Sequence, residues 1–175
     1  MNSPTDPVIK ADILIVDDAP DNLRFLTNML KSQGYQVRKA LNGRIALKSV
    51  QKIKPDLILL DINMPEMNGY ELCQRLKSVK ATSDIPIIFI SAFCETLNKI
   101  QAFQLGGVDY ITKPFQIDEV LARIENQLTL HQLQKQLCAQ NIRLQQEILE
   151  RQRAEEQIRF LLTTTQLINQ AGDFH

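Results

Sequence analysis

The sequence predicts a three-layer α/β domain built on a five-stranded parallel sheet and followed by one long C-terminal helix. Two observations predict this fold. Short apolar runs alternate with segments whose apolar residues recur at helical spacing, and such alternation favours right-handed crossovers with helices on both faces of one sheet. From Ile117 onward, Gly and Pro are absent until Gly172, which predicts an uninterrupted helix.

The first elements follow a polar leader. Residues 1–10 contain two prolines among polar neighbours and are expected to be flexible. The apolar run Ile13–Val16 predicts the first strand. Asp21 or Asn22 can begin the first helix, which Gly34 is expected to end.

The strand and helix pattern then repeats. Residues Gln36–Lys39 form a short polar run, which is typical of a strand at the edge of a sheet. A second helix begins at Gly43 and precedes the buried strand Leu57–Leu60. A third helix follows Gly69 and leads to the strand Ile87–Ile90. A fourth helix is predicted through Leu97, Ile100 and Phe103, and a glycine pair turns the chain into the last strand, Val108–Ile111.

The C-terminal helix is predicted from Ile117 to Leu162. Its first apolar residues are expected to face the domain: Ile117, Leu121, Ile124 and Leu128. A second stripe could form the seam of a parallel homodimer: Leu133, Leu137, Leu144 and Ile148. The alternative is a tail that folds back onto its own domain. The predicted boundaries are 11–128 for the domain, 129–162 for a coiled-coil linker and 163–175 for the start of a further domain.

Composition excludes several classes of protein. The chain has 20 basic and 20 acidic residues and no basic stripe, so it is not expected to contact nucleic acid. Three widely spaced cysteines, Cys73, Cys94 and Cys138, indicate neither a disulfide framework nor a zinc site, and a reducing compartment fits them best. No apolar run approaches the length of a membrane span. We therefore expect a cytoplasmic chain without membrane contact.

Polar residues suited to phosphate and metal chemistry follow the predicted strands. They are Asp17, Asp18, Asp61, Ser91 and Lys113. The carboxyl ends of parallel strands meet at one edge of a sheet, so these side chains are expected to share a crevice. Three carboxylates close together call for a cation, and hard oxygen ligands favour Mg²⁺. Asp61, on the central strand and beside a lysine, is the candidate nucleophile towards phosphorus.

Four motifs give the domain a specific resemblance. They are Ile-Leu-Ile-Val-Asp-Asp at 13–18, Leu-Leu-Asp-Ile-Asn-Met-Pro-Glu-Met-Asn-Gly at 59–69, Ile-Ser-Ala at 90–92 and Tyr-Ile-Thr-Lys-Pro-Phe at 110–115. Together they resemble the receiver domains of two-component response regulators over about residues 11–128. The resemblance implies a doubly wound, flavodoxin-like sheet of order 2-1-3-4-5.

The same resemblance implies a role for each site residue. Asp61 would accept a phosphoryl group from the phosphohistidine of a histidine kinase or phosphotransfer protein. Mg²⁺ would be held by Asp17, Asp18, Asp61 and Asn63. Phosphoryl oxygens would be bound by Ser91, Ala92 and Lys113. Tyr110 would respond to Ser91 as an aromatic switch, and the bond between Lys113 and Pro114 would be cis.

Other interpretations remain open for the domain and for the tail. A magnesium-dependent aspartate-nucleophile phosphohydrolase also uses a lysine, but its pattern places a second Asp where this chain has Asn63. A docking module that is never phosphorylated does not explain the complete set of site residues. Residues 147–156 resemble the helical linkers of multidomain sensors, and residues 161–174 resemble the first helix of a GAF domain. The resemblances indicate a piece of a longer regulator or hybrid histidine kinase rather than an enzyme in itself.

Overall fold

The computed structural model describes residues 9–92 and 103–172, with side chains as far as residue 167. Five parallel strands form one sheet in the order β2-β1-β3-β4-β5, which confirms the predicted fold class. The strands are β1 (Asp12–Val16), β2 (Gln36–Ala40), β3 (Leu57–Asp61), β4 (Ile87–Ser91) and β5 (Asp109–Thr112). The helices are α1 (Pro20–Ser32), α2 (Gly43–Lys52), α3 (Gly69–Ser78) and α4 (Ile117–Gly172). The helix predicted through Leu97 and Ile100 lies outside the described residues.

The central strands are buried on both faces because helices cover the sheet from two sides. Alternate residues of β1 enter different core clusters: Ile13 and Ile15 pack with α1 and the start of α4, whereas Leu14 and Val16 pack with α2 and α3. All five residues of β3 and all five of β4 are buried. This burial on two faces is typical of a parallel sheet between helical layers.

The first helix begins one residue earlier than predicted. Ala19 is the residue before the helix, no side chain caps it, and Pro20 occupies the first helical position, where its missing N–H is not needed. Asp21 and Asn22 therefore lie inside the first turn. At the other end, Gly34 adopts a φ of 86°, as expected for the glycine that ends a helix.

Helices α2 and α3 begin alike, at Gly43 and Gly69. In each case the preceding asparagine accepts a backbone N–H three residues later: Asn42 from Ile45 at 2.9 Å and Asn68 from Glu71 at 2.9 Å. Such N-caps stabilise a helix by about 1 kcal/mol. The cap of α3 lies at the end of the loop that follows β3.

The chain separates into two compact units, residues 1–131 and residues 132–175. In the first unit, Val120 and Ile124 of α4 are fully buried, and Leu121 and Leu128 pack partly buried against the same core. The prediction that Ile117 faces the domain is wrong, since this residue is 47% exposed. Val120 faces the core instead, because the buried face of the helix includes Val120, Ile124 and Leu128.

The second unit consists of the remainder of α4. Each side chain from 132 to 163 is exposed, including those of the predicted seam. Within the part of the chain that the structure describes, no helix has both the length and the hydropathy that crossing a membrane requires.

Candidate functional site

Three carboxylates meet at the carboxyl edge of the sheet. Asp17 and Asp18 directly follow β1, and Asp61 is the last residue of β3. One oxygen from each lies within 4.8 Å of the others. Asp17 is fully buried and Asp61 is 3% exposed, whereas Asp18 is exposed to solvent. The predicted cluster is therefore two buried acids with a third at the opening.

Lys113 joins the two buried acids. Its Nζ lies 3.1 Å from Oδ2 of Asp17 and 3.3 Å from Oδ1 of Asp61. Lys113 follows β5, and its backbone N–H donates to the carbonyl of Ser91 at 2.8 Å. The Lys113–Pro114 peptide bond is cis. A single ammonium group thus faces two carboxylates, which leaves the cluster with an excess of negative charge.

Asn22 orients Asp17, and the sequence interpretation gave it no such role. Its Nδ2 donates to both oxygens of Asp17, at 3.1 Å and 2.9 Å. The backbone N–H of Ala19 donates to Oδ1 of the same carboxylate at 2.8 Å. The sequence indicates Asn22 only as a possible first residue of the helix. Because α1 begins at Pro20, Asn22 lies in its first turn, where its side chain contacts Asp17.

Burial raises the pKa of Asp61 to about 6. Lys113 opposes this shift by its charge and its hydrogen bond, while the neighbouring charges of Asp17 and Asp18 add to it. Without a cation, ionisation of Asp61 is therefore less favourable in the fold than in the unfolded chain. At neutral pH the carboxylate is nevertheless predominantly ionised, which leaves its oxygens available to a cation or an electrophile.

This shift predicts a pH-dependent stability for the metal-free chain. The folded pKa of about 6 exceeds the ordinary value of 3.8, so the folded state holds this proton more tightly and the stabilisation is lost as pH rises through about 6. Against Asp61→Asn, which does not titrate, the free energy of unfolding should fall by about 2–3 kcal/mol between about pH 4 and pH 7.5. Urea unfolding in the presence of a chelator, repeated across this pH range, measures the free energy of unfolding of both proteins. The same dependence on pH in the two proteins would contradict the prediction.

The remaining predicted site residues lie around this cluster. Ser91, the last residue of β4, is buried and pairs in register with Thr112. It lies one position beyond Ile90, which pairs with Asp61. Asn63 and Ala92 are exposed in the loops that follow β3 and β4. The fold thus places Ser91, Asn63 and Ala92 at the same edge of the sheet as the acidic cluster.

Tyr110 lies half-buried on β5 between two side chains. The ring of Phe103 meets it edge-on at 6.4 Å between centroids, and the guanidinium of Arg123 lies 5.5 Å from its centroid. Arg123 also donates to Asp109 at 2.6 Å and to Glu119 at 2.9 Å. Arg123 was not singled out in the sequence, and it connects β5 to the first turns of α4.

The donor set fits a hard divalent cation. Carboxylate oxygens are the ligands that Mg²⁺ prefers, and Mg²⁺ is usually held by one or two carboxylates together with waters. Here two buried carboxylates and one exposed carboxylate converge, and one lysine leaves part of their charge uncompensated. Cysteine and histidine are absent from this group, so the softer metals are less well served.

Comparison with known proteins identifies relatives of this domain. Residues 13–125 match the model of the response regulator receiver domain. The DNA-binding dual master transcriptional regulator RpaA of Synechocystis sp. is 39% identical over 112 residues, which are 64% of this chain and 46% of RpaA. Histidine kinase P4 of Formosa agariphila is 40% identical over 117 residues, which are 67% of this chain and 8% of the kinase. The chain spans less than half the length of either relative.

Solved structures give the same result. The receiver domain of a signal transduction histidine kinase from Syntrophus aciditrophicus superposes with a TM-score of 0.63 at 34% identity. The match covers 68% of this chain and 90% of that domain. The similarity therefore covers the α/β domain in both sequence and structure.

Proposed function

The chain belongs to the response regulator receiver family, whose members are phosphoacceptor signalling domains, and we propose that Asp61 is its phosphoacceptor. The observation that carries this proposal is the bridge from Lys113 to Asp17 and Asp61, at 3.1 Å and 3.3 Å. It holds one oxygen of Asp61 against an ammonium group in a buried site. Receiver domains exchange phosphoryl groups with histidine kinases or phosphotransfer proteins, and we assign such a protein as the donor.

We assign Mg²⁺ to the acidic cluster. Asp17, Asp18 and Asp61 would hold it, together with the backbone carbonyl of Asn63 as the resemblance implies. When bound, the cation supplies positive charge that offsets the carboxylates and the incoming phosphoryl group. Asn22 contributes by fixing the orientation of Asp17, because its amide donates to both carboxylate oxygens.

Each residue of the site has its own role in phosphoryl transfer. An oxygen of Asp61 forms the new bond to phosphorus while the bond from phosphorus to the donor nitrogen breaks, and the electron pair stays on that nitrogen. Lys113 can then pair with a phosphoryl oxygen, since its Nζ already lies beside Asp61. Ser91 and the backbone of Ala92 lie at the same edge and are assigned to the other phosphoryl oxygens. Catalysis is chiefly positioning and charge neutralisation.

Tyr110 is the residue through which phosphorylation would change the contacts of α4. A shift of Ser91 toward a phosphoryl oxygen would open space beside β5 for the ring of Tyr110. Arg123 lies over that ring and is bonded to Asp109 and Glu119, so a movement of the ring changes contacts of α4. A ligand biases such an element by its differential affinity for two states, so the output is a shift in populations.

The helical unit completes the proposal. We assign residues 11–128 to the receiver, 129–162 to a linker and 163–175 to the start of a downstream domain, in a cytoplasmic regulator. The linker exposes four apolar residues that would form the seam of a parallel homodimer: Leu133, Leu137, Leu144 and Ile148. Burying them against a second copy would be favourable, since each apolar side chain contributes about 1.5–3 kcal/mol when removed from water.

Acetyl phosphate tests the proposed function without a kinase. The chain incubated with acetyl phosphate and Mg²⁺ should gain the mass of one phosphoryl group by intact mass spectrometry. Chelation of the cation before the reaction should reduce uptake by at least about 100-fold, in line with the loss of one major charge-stabilising group. Sodium chloride at the same ionic strength as the magnesium salt controls for mere charge screening. Equal uptake with and without chelator would contradict the metal assignment, and no uptake in magnesium would contradict the proposed function.

A further inference from the structure

The exposed part of α4 carries a row of side chains with a regular spacing, which we call the seam. Its members are Leu133, Leu137, Asn141, Leu144, Ile148, Arg151, Glu155, Ile158 and Leu162. From Leu137 to Leu162 the steps alternate between four and three residues, which is the heptad pattern of a coiled coil. The first step, from Leu133 to Leu137, is followed by a second step of four, so the heptad begins after a local unwinding.

The apolar members of the seam are open to solvent. Leu137 is 59% exposed, Leu144 55%, Ile148 57%, Ile158 58% and Leu162 61%. They extend over nearly four heptads, which is the length at which a heptad pattern indicates a coiled coil. A sparser row, with Ile142, Leu149 and Phe160, lies on the opposite face and lacks the steps of three and four.

The polar members identify the partner. In the heptad, Asn141 and Glu155 take a positions and Arg151 takes a d position. One asparagine at an a position, with Leu144 at d and Ile148 at the next a, is the pattern of a parallel two-stranded coiled coil, in which the asparagine fixes register. The seam also carries both signs of charge in adjacent layers, with Arg151 Nε 3.6 Å from Glu155 Oε1 in one helix.

We infer that the seam binds a second copy of this chain, parallel and in register, and that Asn141 selects that alignment. This inference rests on the proposed dimer and names what specifies it. In register, Asn141 faces Asn141, Arg151 faces Arg151 and Glu155 faces Glu155, and each Arg151 lies one layer from the Glu155 of the second copy. A shift by one heptad would place Asn141 against Ile148 and Arg151 against Ile158, leaving polar groups against apolar ones.

An antiparallel pair is the alternative that matches the charges directly. It would place Arg151 opposite Glu155 and Leu144 opposite Leu162. That alignment matches Leu137 with Asn169 and Leu133 with Asp173 of the sequence, past the last apolar seam residue. The parallel alignment places every apolar residue of the seam opposite the same apolar residue of the second copy. We therefore propose the parallel pair.

Cysteine crosslinking of the full chain tests the alignment. In a background with Cys94 and Cys138 replaced by serine, Leu144→Cys should form an intermolecular disulfide under mild oxidation. The matched control is Ile142→Cys, which is 52% exposed on the opposite face and should crosslink at least tenfold less. Preferential crosslinking of Leu144→Cys to Leu162→Cys would establish the antiparallel pair and overturn the inference.

Asn141→Leu tests the specificity. It should raise the thermal stability of the assembly and replace a single dimer by a mixture of dimers and larger species in light scattering. A native chain that is monomeric, trimeric or tetrameric, or an Asn141→Leu chain that remains one uniform dimer, would overturn the inference. Neither result would change phosphoryl uptake at Asp61, so a failure here is distinguishable from failure of the proposed function.

Discussion

Asp61→Asn is expected to abolish phosphoryl uptake from acetyl phosphate. The amide that replaces the carboxylate has no anionic oxygen to attack phosphorus, and it removes one negative charge from the acidic cluster. The fold should persist, because Lys113 keeps its partner Asp17 at 3.1 Å. Loss of uptake therefore reports chemistry and not unfolding, and the unchanged circular dichroism spectrum of the variant verifies this.

Asp21→Asn is the matched control for this experiment. Asp21 is an exposed carboxylate in the first turn of α1, and its salt bridge with Arg24 is at the surface. Surface pairs contribute little to stability, so this variant should take up phosphate as the native chain does. If Asp61→Asn were phosphorylated as rapidly as Asp21→Asn, the acceptor would be another residue and the assignment of Asp61 would be wrong.

The sequence was sufficient to predict where the acids would meet. Asp17, Asp18 and Asp61 all follow apolar runs, and the geometry of a parallel sheet brings the ends of such runs to one edge. This inference needs only strand order and direction. It does not need any knowledge of side-chain rotamers, which explains why it succeeds from sequence.

Contacts that depend on local geometry could not be predicted from the sequence. The hydrogen bonds from Asn22 to Asp17 require a particular turn between β1 and α1. The network of Arg123 joins residues 14 positions apart across β5 and α4. No spacing rule distinguishes these residues from other polar residues near helix starts, so neither could be assigned a role.

The orientation of α4 is a second feature that could not be predicted from the sequence. A stripe through Ile117, Leu121 and Ile124 and a stripe through Val120 and Ile124 both have helical spacing. Packing against the core decides between them, and it buries Val120 while leaving Ile117 exposed. Periodicity predicts that a helix is amphipathic more reliably than it predicts the centre of its buried face.

Gly69→Ala is expected to reduce the free energy of unfolding by roughly 4 kcal/mol, which is large for a single methyl group. A Cβ at this position would lie 2.3 Å from the carbonyl oxygen of Asp61 and 2.9 Å from Cα of Ile62. Both are backbone atoms, so no rotamer change relieves the overlap. The N–H of Gly69 also donates to the carbonyl of Ile62 at 2.9 Å, and the same displacement would stretch that bond.

Gly43→Ala is the matched control, because Gly43 begins α2 after an asparagine cap as Gly69 begins α3. Its Cβ would meet Sδ of Met67 at 2.6 Å, and a methionine side chain can change rotamer to make room. Both substitutions gain the same helix propensity, so the difference between them isolates the backbone overlap. We expect Gly43→Ala to reduce the free energy of unfolding by about 1–2 kcal/mol in urea denaturation, less than Gly69→Ala, because buried Met67 must shift to make room.

The effect of Gly69→Ala should extend from stability to the site. The overlap is with Asp61 itself, so relief of strain must move the end of β3 or the start of α3. Displacement of that backbone misplaces the Asp61 carboxylate relative to Lys113, and a misplacement of about 1 Å can slow a reaction by about 100-fold. Phosphoryl uptake should therefore fall in folded Gly69→Ala at low temperature but not in Gly43→Ala. Equal uptake and equal stability in the two variants would show that the loop after β3 adapts without cost, and that its close approach does not position the acceptor.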